Sequence, residues 1–273
     1  MDENQLLEAL VVTARAAGAE ILKLVAAGFE VETKSDQSPV TICDRAAEKI
    51  ILHALAEAAP GVPVIAEEEV AAGRIPAHDD TYFLVDPLDG TKEFISGSEE
   101  FTVNIALIEQ GRVVFGVVSM PTNGRFYVGG AGFGAWRGDQ GGTPVSIQVR
   151  DVLAPGQSFT VVASRRHSSP EQERLLAGLS ASLGELELAN IGSSLKFCLL
   201  AEGAADCYPR LAPTSQWDTA AAQGVLEGAG GEVLDLQGAP FCYPARESLL
   251  NEFFLALPAK AAWREQLLAL ANP

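Results

Sequence analysis

At 273 residues the chain is too long for a minimal module and short for three domains, which leaves one compact body or two lobes. Hydrophobic residues make up 48% and charged ones 20%, so a real core is available and disorder is excluded as the general state. The formal charge of -17, from 36 acids against 19 bases, excludes a broad basic face and with it nucleic acid as partner.

The elements follow in chain order. Met1-Asp2-Glu3-Asn4-Gln5 lacks the basic head and apolar core of a signal peptide, and no run approaches the roughly 18 apolar residues of a spanning helix, so a cytoplasmic protein without an integral membrane segment is expected. Asn4 to Ala27 has the helical spacing Leu6, Leu10, Ala14, Ala17, Ile21 and Leu24. A second helix is predicted from about Asp44 to Ala59, after Pro39-Val40-Thr41 and before Pro60-Gly61. The short apolar strand Val62 to Ala66 runs straight into Glu67-Glu68-Glu69, and a loop from Gly73 to Asp80 leads to the strand Tyr82 to Val85. Phe101 to Glu109 and Arg112 to Met120 read as a hairpin across Gln110-Gly111, with further strands at Arg125 to Val128 and Ala135 to Arg137. The glycine-rich stretch Gly129 to Gly142 reads as turn material between strands.

After Arg150 the texture changes. Strands at Phe159 to Ala163, Glu187 to Asn190, Asp206 to Tyr208 and Glu232 to Leu236 alternate with helices at Pro170 to Leu183, Ser194 to Glu202 and Asp218 to Ala229. That alternation is α/β, whereas the first half is α+β. The boundary is placed near Val149 to Gly156, giving lobes of residues 1–150 and 151–273. Cys43, Cys198, Cys207 and Cys242 show neither CxxC pairing nor metal-ligand spacing and are expected as free, mostly buried thiols. His53 and His78 are expected at the surface.

The chemistry concentrates in Asp86-Pro87-Leu88-Asp89-Gly90-Thr91, directly after the apolar Tyr82 to Val85. Pro87 fixes its own φ and Gly90 permits a tight bend, so both carboxylates can enter one volume beside the Leu88 carbonyl and the Gly90 and Thr91 amides. Hard oxygens of this kind suit Mg²⁺, and free amides suit a phosphate. Glu67 ends another strand, and Asp218 opens a helix behind Trp217. Singly, an acidic turn, a solvated acidic run or an N-cap would account for each of these. Together, at element ends, they outline a cleft. An acidic pocket repels an anionic substrate, and divalent metal resolves the conflict by neutralising the carboxylates.

The ordered segments KSDQSPVT, Glu-Glu, LVDPLDGTKEF, EFTVNIALIE, NIGSSLKFC and WDTAA resemble the lithium-sensitive, magnesium-dependent phosphatase superfamily that includes inositol monophosphatase. Within it they are most similar to the 3'(2'),5'-bisphosphate nucleotidases of the bacterial CysQ type. The resemblance runs from the first helix to about Pro258. It implies a layered αβαβα sugar-phosphatase fold with the site between two lobes. It implies that Glu67, Asp86, the Leu88 carbonyl, Asp89 and Asp218 bind two or three Mg²⁺ ions, with inhibition by Li⁺. It implies that Asp44 and Thr91 orient and activate the attacking water. With three glutamates in a row the register stays open: Glu67 is the ligand and Glu68 positions water, or Glu68 is itself the ligand.

For the substrate, the resemblance places the nucleotide and its second phosphate against positions matching His167, Ser193, Lys196 and Arg210, with Glu67, Leu88, Asp89, Gly90, Thr91 and Asp218 lining the reacting end. Ser164, Arg165 and Lys34 are further loop residues near the site. Ser193, Ser194 and Lys196 start a helix, where amides, hydroxyls and an ammonium can meet an anion together. The implied reaction is hydrolysis of adenosine 3',5'-bisphosphate to AMP and phosphate, in clearing a by-product of sulfate assimilation, with the sulfated precursor as a further substrate. An inositol or sugar monophosphatase shares every metal ligand and stands as the alternative. A catalytically silent nucleotide- or metal-binding regulator would lack Asp44, Thr91 or a metal carboxylate, all of which are present. The resemblance also leaves open a peripheral contact with the inner membrane, for which the chain has no visible anchor.

Overall fold

A computed structural model describes residues 2–33, 39–163, 170–245 and 248–271. The first helix, α1 (Glu3–Ala27), begins with a reciprocal cap in which Asp2 accepts from the Gln5 amide and Gln5 reaches back to Asp2. After the paired strands β1 (Val31–Thr33) and β2 (Pro39–Thr41), Thr41 caps α2 (Ile42–Ala58) in the same way, with Asp44 as its partner. The helix therefore starts two residues before Asp44, which sits inside the first turn.

Both helices lie on a seven-stranded sheet whose spatial order is its chain order. The strands are β3 (Val64–Ala66), β4 (Thr81–Asp89), β5 (Thr102–Glu109), β6 (Arg112–Met120), β7 (Arg125–Gly130), β8 (Gly134–Gly138) and β9 (Val145–Ser146). Only β3 and β4 run parallel; every other neighbouring pair is antiparallel. One-turn helices α3 (Glu67–Ala71) and α4 (Thr91–Ile95) follow β3 and β4. The β5–β6 turn has Gln110 at φ 50° and Gly111 at φ 73°. Positive φ at both central residues suits the twist of a two-residue hairpin.

Alternation along the strands sorts side chains into two cores. Phe83, Val85, Val103, Ile105 and Leu107 pack with Leu10, Ala14, Ile21, Ile51 and Leu55 of α1 and α2. Tyr82, Leu84, Ala106 and Ile108 face the opposite side. In β6 the parity breaks: Val113 joins one core and Phe115 the other, because Leu107 pairs with Phe115 and Ile108 with Val113, leaving Val114 as a bulge.

On the far side lie α6 (Leu195–Ala201) and α7 (Ala220–Gly228), then a second set of strands. Parallel β10 (Phe159–Ala163) and β11 (Leu186–Asn190) are joined through a Val161–Cys207 bridge to the antiparallel set β12 (Tyr208–Arg210), β14 (Phe254–Pro258) and β13 (Gly231–Asp235). The outermost helices α5 (Pro170–Leu183) and α8 (Arg264–Ala271) close that face over Phe159, Leu175, Leu179, Leu255, Trp263 and Leu267. The layers therefore read αβαβα, the expected fold. Helix α7 comes unusually near the first sheet: a Cβ on Gly116 would lie 2.0 Å from the Ala221 carbonyl, and one on Gly228 2.2 Å from the Gly134 carbonyl. Only glycine allows this backbone-on-backbone contact.

Several boundaries differ from the sequence reading. Gly129 to Gly142 is partly strand, since β7 runs to Gly130 and β8 starts at Gly134. Asp218 ends a 3-10 turn (Gln216–Asp218), and α7 starts only at Ala220. Cys43, Cys198 and Cys207 are buried free thiols, and Cys242 is exposed. His53 is exposed beside Glu57, but His78 is half-buried, with its ring edge-on to Tyr82 and Nδ1 3.1 Å from the Pro76 carbonyl. Among the described residues no helix is long and apolar enough to cross a membrane.

Candidate active site

The cleft is built on an irregularity of β4. Asp86 pairs with Asn104 and Asp89 with Thr102, so three steps on β4 match two on β5. On a regular strand, residues three apart point to opposite faces. The extra residue makes their separation equivalent to two, and Asp86 and Asp89 line one cleft of about 250 Å³ together with Leu88, Glu67 and Asp218. Asp86 is buried and turns one oxygen to the Leu88 amide at 3.0 Å. Gly90 follows at φ 91°, where a Cβ would press within 3.0 Å of the Glu100 carbonyl.

Glu67 reaches the cleft because β3 pairs parallel to β4, Ala66 opposite Val85, which sets the next residue of each strand side by side. Glu68 instead lines a neighbouring pocket with Glu48, Arg45 and Arg74. The register therefore brings Glu67 to the other carboxylates. Asp218 arrives from α7's leading turn, and its Oδ2 accepts from the Ser215 amide at 2.7 Å. Burial, then the charges of Glu67, Asp89 and Asp218, push the Asp86 carboxyl well above its usual range. Burial, then Asp89, raise Asp218 to about 8. Like charges this close favour protonation unless a cation offsets them.

The donor set is carboxylate and carbonyl oxygen throughout, which fits Mg²⁺ or another hard divalent ion. Among the described residues no three such side chains already stand as a closed ligand cluster. Asp89 Oδ2 takes the Ser194 amide at 2.5 Å and the Asn104 amide at 3.3 Å, leaving Oδ1 for the cleft.

Asp44 and Thr91 come together across the site. Thr91 Oγ1 lies 3.3 Å from Asp44 Oδ1 and 3.1 Å from the Leu88 carbonyl. The other Asp44 oxygen accepts from both the amide and hydroxyl of Thr41, each at 2.7 Å, which fixes the carboxylate.

A second pocket of about 130 Å³ shares the wall of Asp89, Gly90 and Asp218 and is lined beyond it by Ser193, Lys196, Tyr208 and Arg210. Two amides ahead of α6 are already engaged, Gly192 N–H by Glu100 at 2.8 Å and Ser194 N–H by Asp89. Side chains add to what the pocket offers. Ser193, at φ 51°, holds a buried hydroxyl with no hydrogen-bond partner. Lys196 is 8% exposed, and its Nζ donates to the Ser193 carbonyl at 2.8 Å. Burial pulls its pKa down to about 8, with Asp89 opposing and Arg210 assisting. Arg210 donates to the Ala212 and Pro213 carbonyls at 3.1 Å. His167, Ser164, Arg165 and Lys34 lie outside the described residues.

With this geometry in place, the sequence profile of the inositol monophosphatase family matches residues 2–271. The chain belongs to the inositol monophosphatase family. Within it, the chain is 46% identical over 251 residues to the 3'(2'),5'-bisphosphate nucleotidase CysQ of Salmonella typhimurium, covering 91% of this chain and 98% of that one. The CysQ nucleotidase of Escherichia coli K12 is 46% identical over 226 residues, 83% of this chain and 88% of that one. The crystal structure of CysQ from Bacteroides thetaiotaomicron superposes with a TM-score of 0.76 at 36% identity, covering 92% and 96% of the two chains. An inositol monophosphatase from Zymomonas mobilis, at 24% identity and a TM-score of 0.77 over 100% of both chains, shares the fold. The layered architecture of this family member is thus the one its motifs implied.

Three residues escaped the sequence reading. Asn104 ties Asp89 to the Ser194 hydroxyl at 2.9 Å, and Glu100 holds Gly192. Glu48 is buried, accepts from the Glu68 amide at 2.8 Å, and is pushed up to about 7 by burial. Both fall in the segment EFTVNIALIE, but their reach to Ser194 and Gly192 carries no local signal, because those partners lie 90 and 92 residues away. Glu48 had one: it stands four residues from Asp44 on the same helix face.

Proposed function

We propose that this member of the family is a Mg²⁺-dependent 3'(2'),5'-bisphosphate nucleotidase. It hydrolyses the 3'-phosphate of adenosine 3',5'-bisphosphate to AMP and phosphate. The observation that carries the substrate is the pair of pockets sharing one wall: a carboxylate cleft for the reacting phosphate, and beyond it Lys196 and Arg210 for a second anionic group. A monophosphate of a neutral polyol gives those two cations nothing to bind. The CysQ relatives support the same substrate.

Glu67, Asp86, the Leu88 carbonyl, Asp89 and Asp218 would hold the metal. When bound, Mg²⁺ supplies Lewis-acid activation of the attacking water and charge stabilisation at the leaving oxygen. The chain's own part is orientation. The Thr91 hydroxyl has one proton to donate, and giving it to Asp44 leaves the oxygen lone pairs to accept from the attacking water. Thr41 holds Asp44 in the rotamer that receives it. Lys196 and Arg210 fix the other end of the substrate, so that the ester is presented in one orientation. The number of ions is put at two or three, with Li⁺ as inhibitor.

The test is phosphate release in Mg²⁺ from adenosine 3',5'-bisphosphate and inositol 1-phosphate side by side, with and without Li⁺. A strong preference for the bisphosphate is expected. Lys196→Ala should then lose roughly 10- to 100-fold in kcat/KM on the bisphosphate, the scale of one charge-assisted hydrogen bond, and little on the inositol ester. A wild-type preference for the inositol ester overturns the substrate while leaving the metal cleft intact.

A further inference from the structure

We propose that Glu48 is a positioning residue: from α2 it caps the one-turn helix α3 and thereby presents Glu67 to the cleft. Helix α3 spans only Glu67–Ala71, buries none of its residues fully, and has Ala66 at its N-cap, whose methyl group makes no capping bond. The first amides of any helix need an acceptor from outside its own ladder. Here the Glu48 carboxylate provides one, its Oε2 2.8 Å from the Glu68 amide. The other end of α3 is closed by its own backbone, with Ala72, Gly73 and Arg74 amides bonded to the Glu68, Val70 and Glu69 carbonyls. Val70 packs against the core, and the Glu48 bond fixes the leading end of the turn beside it.

The consequence is a division of labour on one helix face. Asp44 and Glu48 stand one turn apart on α2, and α2 is anchored by Cys43, Ala47, Ile51 and Leu55 in the core under the sheet. Asp44 reaches Thr91 at one side of the cleft, and Glu48 holds the start of α3 at the other. One rigid element therefore sets the water-orienting pair and a metal carboxylate in the same frame. The neighbour in chain to the bonded amide is Glu67 itself, so a slip of α3 moves Glu67 directly. This inference rests on the reading that Glu67 is a metal ligand.

The experiment compares wild type, Glu48→Gln and Glu48→Met. Glutamine keeps an acceptor oxygen and the volume, whereas methionine keeps the volume and removes the acceptor. Mn²⁺ binding is titrated by the paramagnetic resonance signal of the free ion, and amide hydrogen exchange is followed over residues 67–72. Glu48→Met should weaken Mn²⁺ binding by about 10-fold or more, the usual effect of removing a group that orients a ligand, and speed exchange in that segment alone. Glu48→Gln should keep wild-type exchange there and affinity within about 3-fold of wild type, well short of that loss. Wild-type exchange and affinity in Glu48→Met overturn the proposal, as does a glutamine variant as impaired as the methionine one. A wild-type protein that takes up no Mn²⁺ instead overturns the metal reading, and the exchange data still decide whether Glu48 holds α3.

Discussion

Lys196 is the buried cation through which the proposed substrate choice would depend on pH. Its Nζ lies 5.9 Å from the centre of the Tyr208 ring and, among the described residues, bonds only the Ser193 carbonyl, so burial acts strongly and brings its pKa down to about 8. On the proposed reading, loss of that proton would leave the second phosphate facing a neutral amine. The kcat/KM for the bisphosphate should therefore fall as pH rises through about 8, since that ratio reports the free enzyme. Lys196→Arg, which stays charged across this range, should lack the alkaline limb, and so should a monophosphate substrate. Unfolding does not explain such a loss. A lysine depressed in the folded state binds fewer protons there than in the unfolded chain, so its contribution to stability rises with pH between the two pKa values. A pH profile that is the same in wild type and in Lys196→Arg would remove Lys196 from the second phosphate.

At the scale of elements, the placement of Asp218 depends on how closely α7 approaches the sheet. Gly116→Ala puts a Cβ 2.0 Å from the Ala221 carbonyl, and the helix has to move. The expected cost is about 1–3 kcal/mol, read as a lower Tm, with a fall in kcat because Asp218 leads into that helix. An unchanged Tm would show that the sheet yields instead of the helix. The same elements show what the chain discloses unaided. The β5–β6 hairpin and α5 are legible almost to the residue, because alternation, a Gln-Gly turn and a proline start are local signals. The pieces that aim the site are not. Helices α3 and α4 are single turns with too few residues for periodicity, and β14 is a short apolar run whose partners lie far along the chain. Asp86, Asp89, Gly90 and Thr91 announce themselves as a cluster. The bulge that turns both carboxylates to one side is a property of pairing with Thr102 and Asn104, which no local reading contains.

The whole molecule bears on whether its two halves behave as separate units. The sequence changes texture near residue 150, and the strands before and after it belong to different sheets. Yet one core takes Tyr82, Leu84 and Val118 from the first sheet and Tyr208, Val233 and Phe254 from the second, around α6 and α7. Neither sheet covers its inner face without that shared layer. Arg150 fastens the second half where it begins: its guanidinium makes paired bonds of 2.7 and 2.6 Å to Asp206, which is fully buried and also accepts from the Thr160 amide. Removing one partner strands a buried charge, at a typical cost of about 3–5 kcal/mol. Arg150→Met should therefore lower the midpoint of heat unfolding, and calorimetry of both proteins should give a single transition. If the halves were independent, the variant would split the trace, with only the second half melting early. A common shift of one peak is the outcome a shared middle layer requires, because loosening β10 also uncovers the face of α6 and α7 that closes the catalytic sheet.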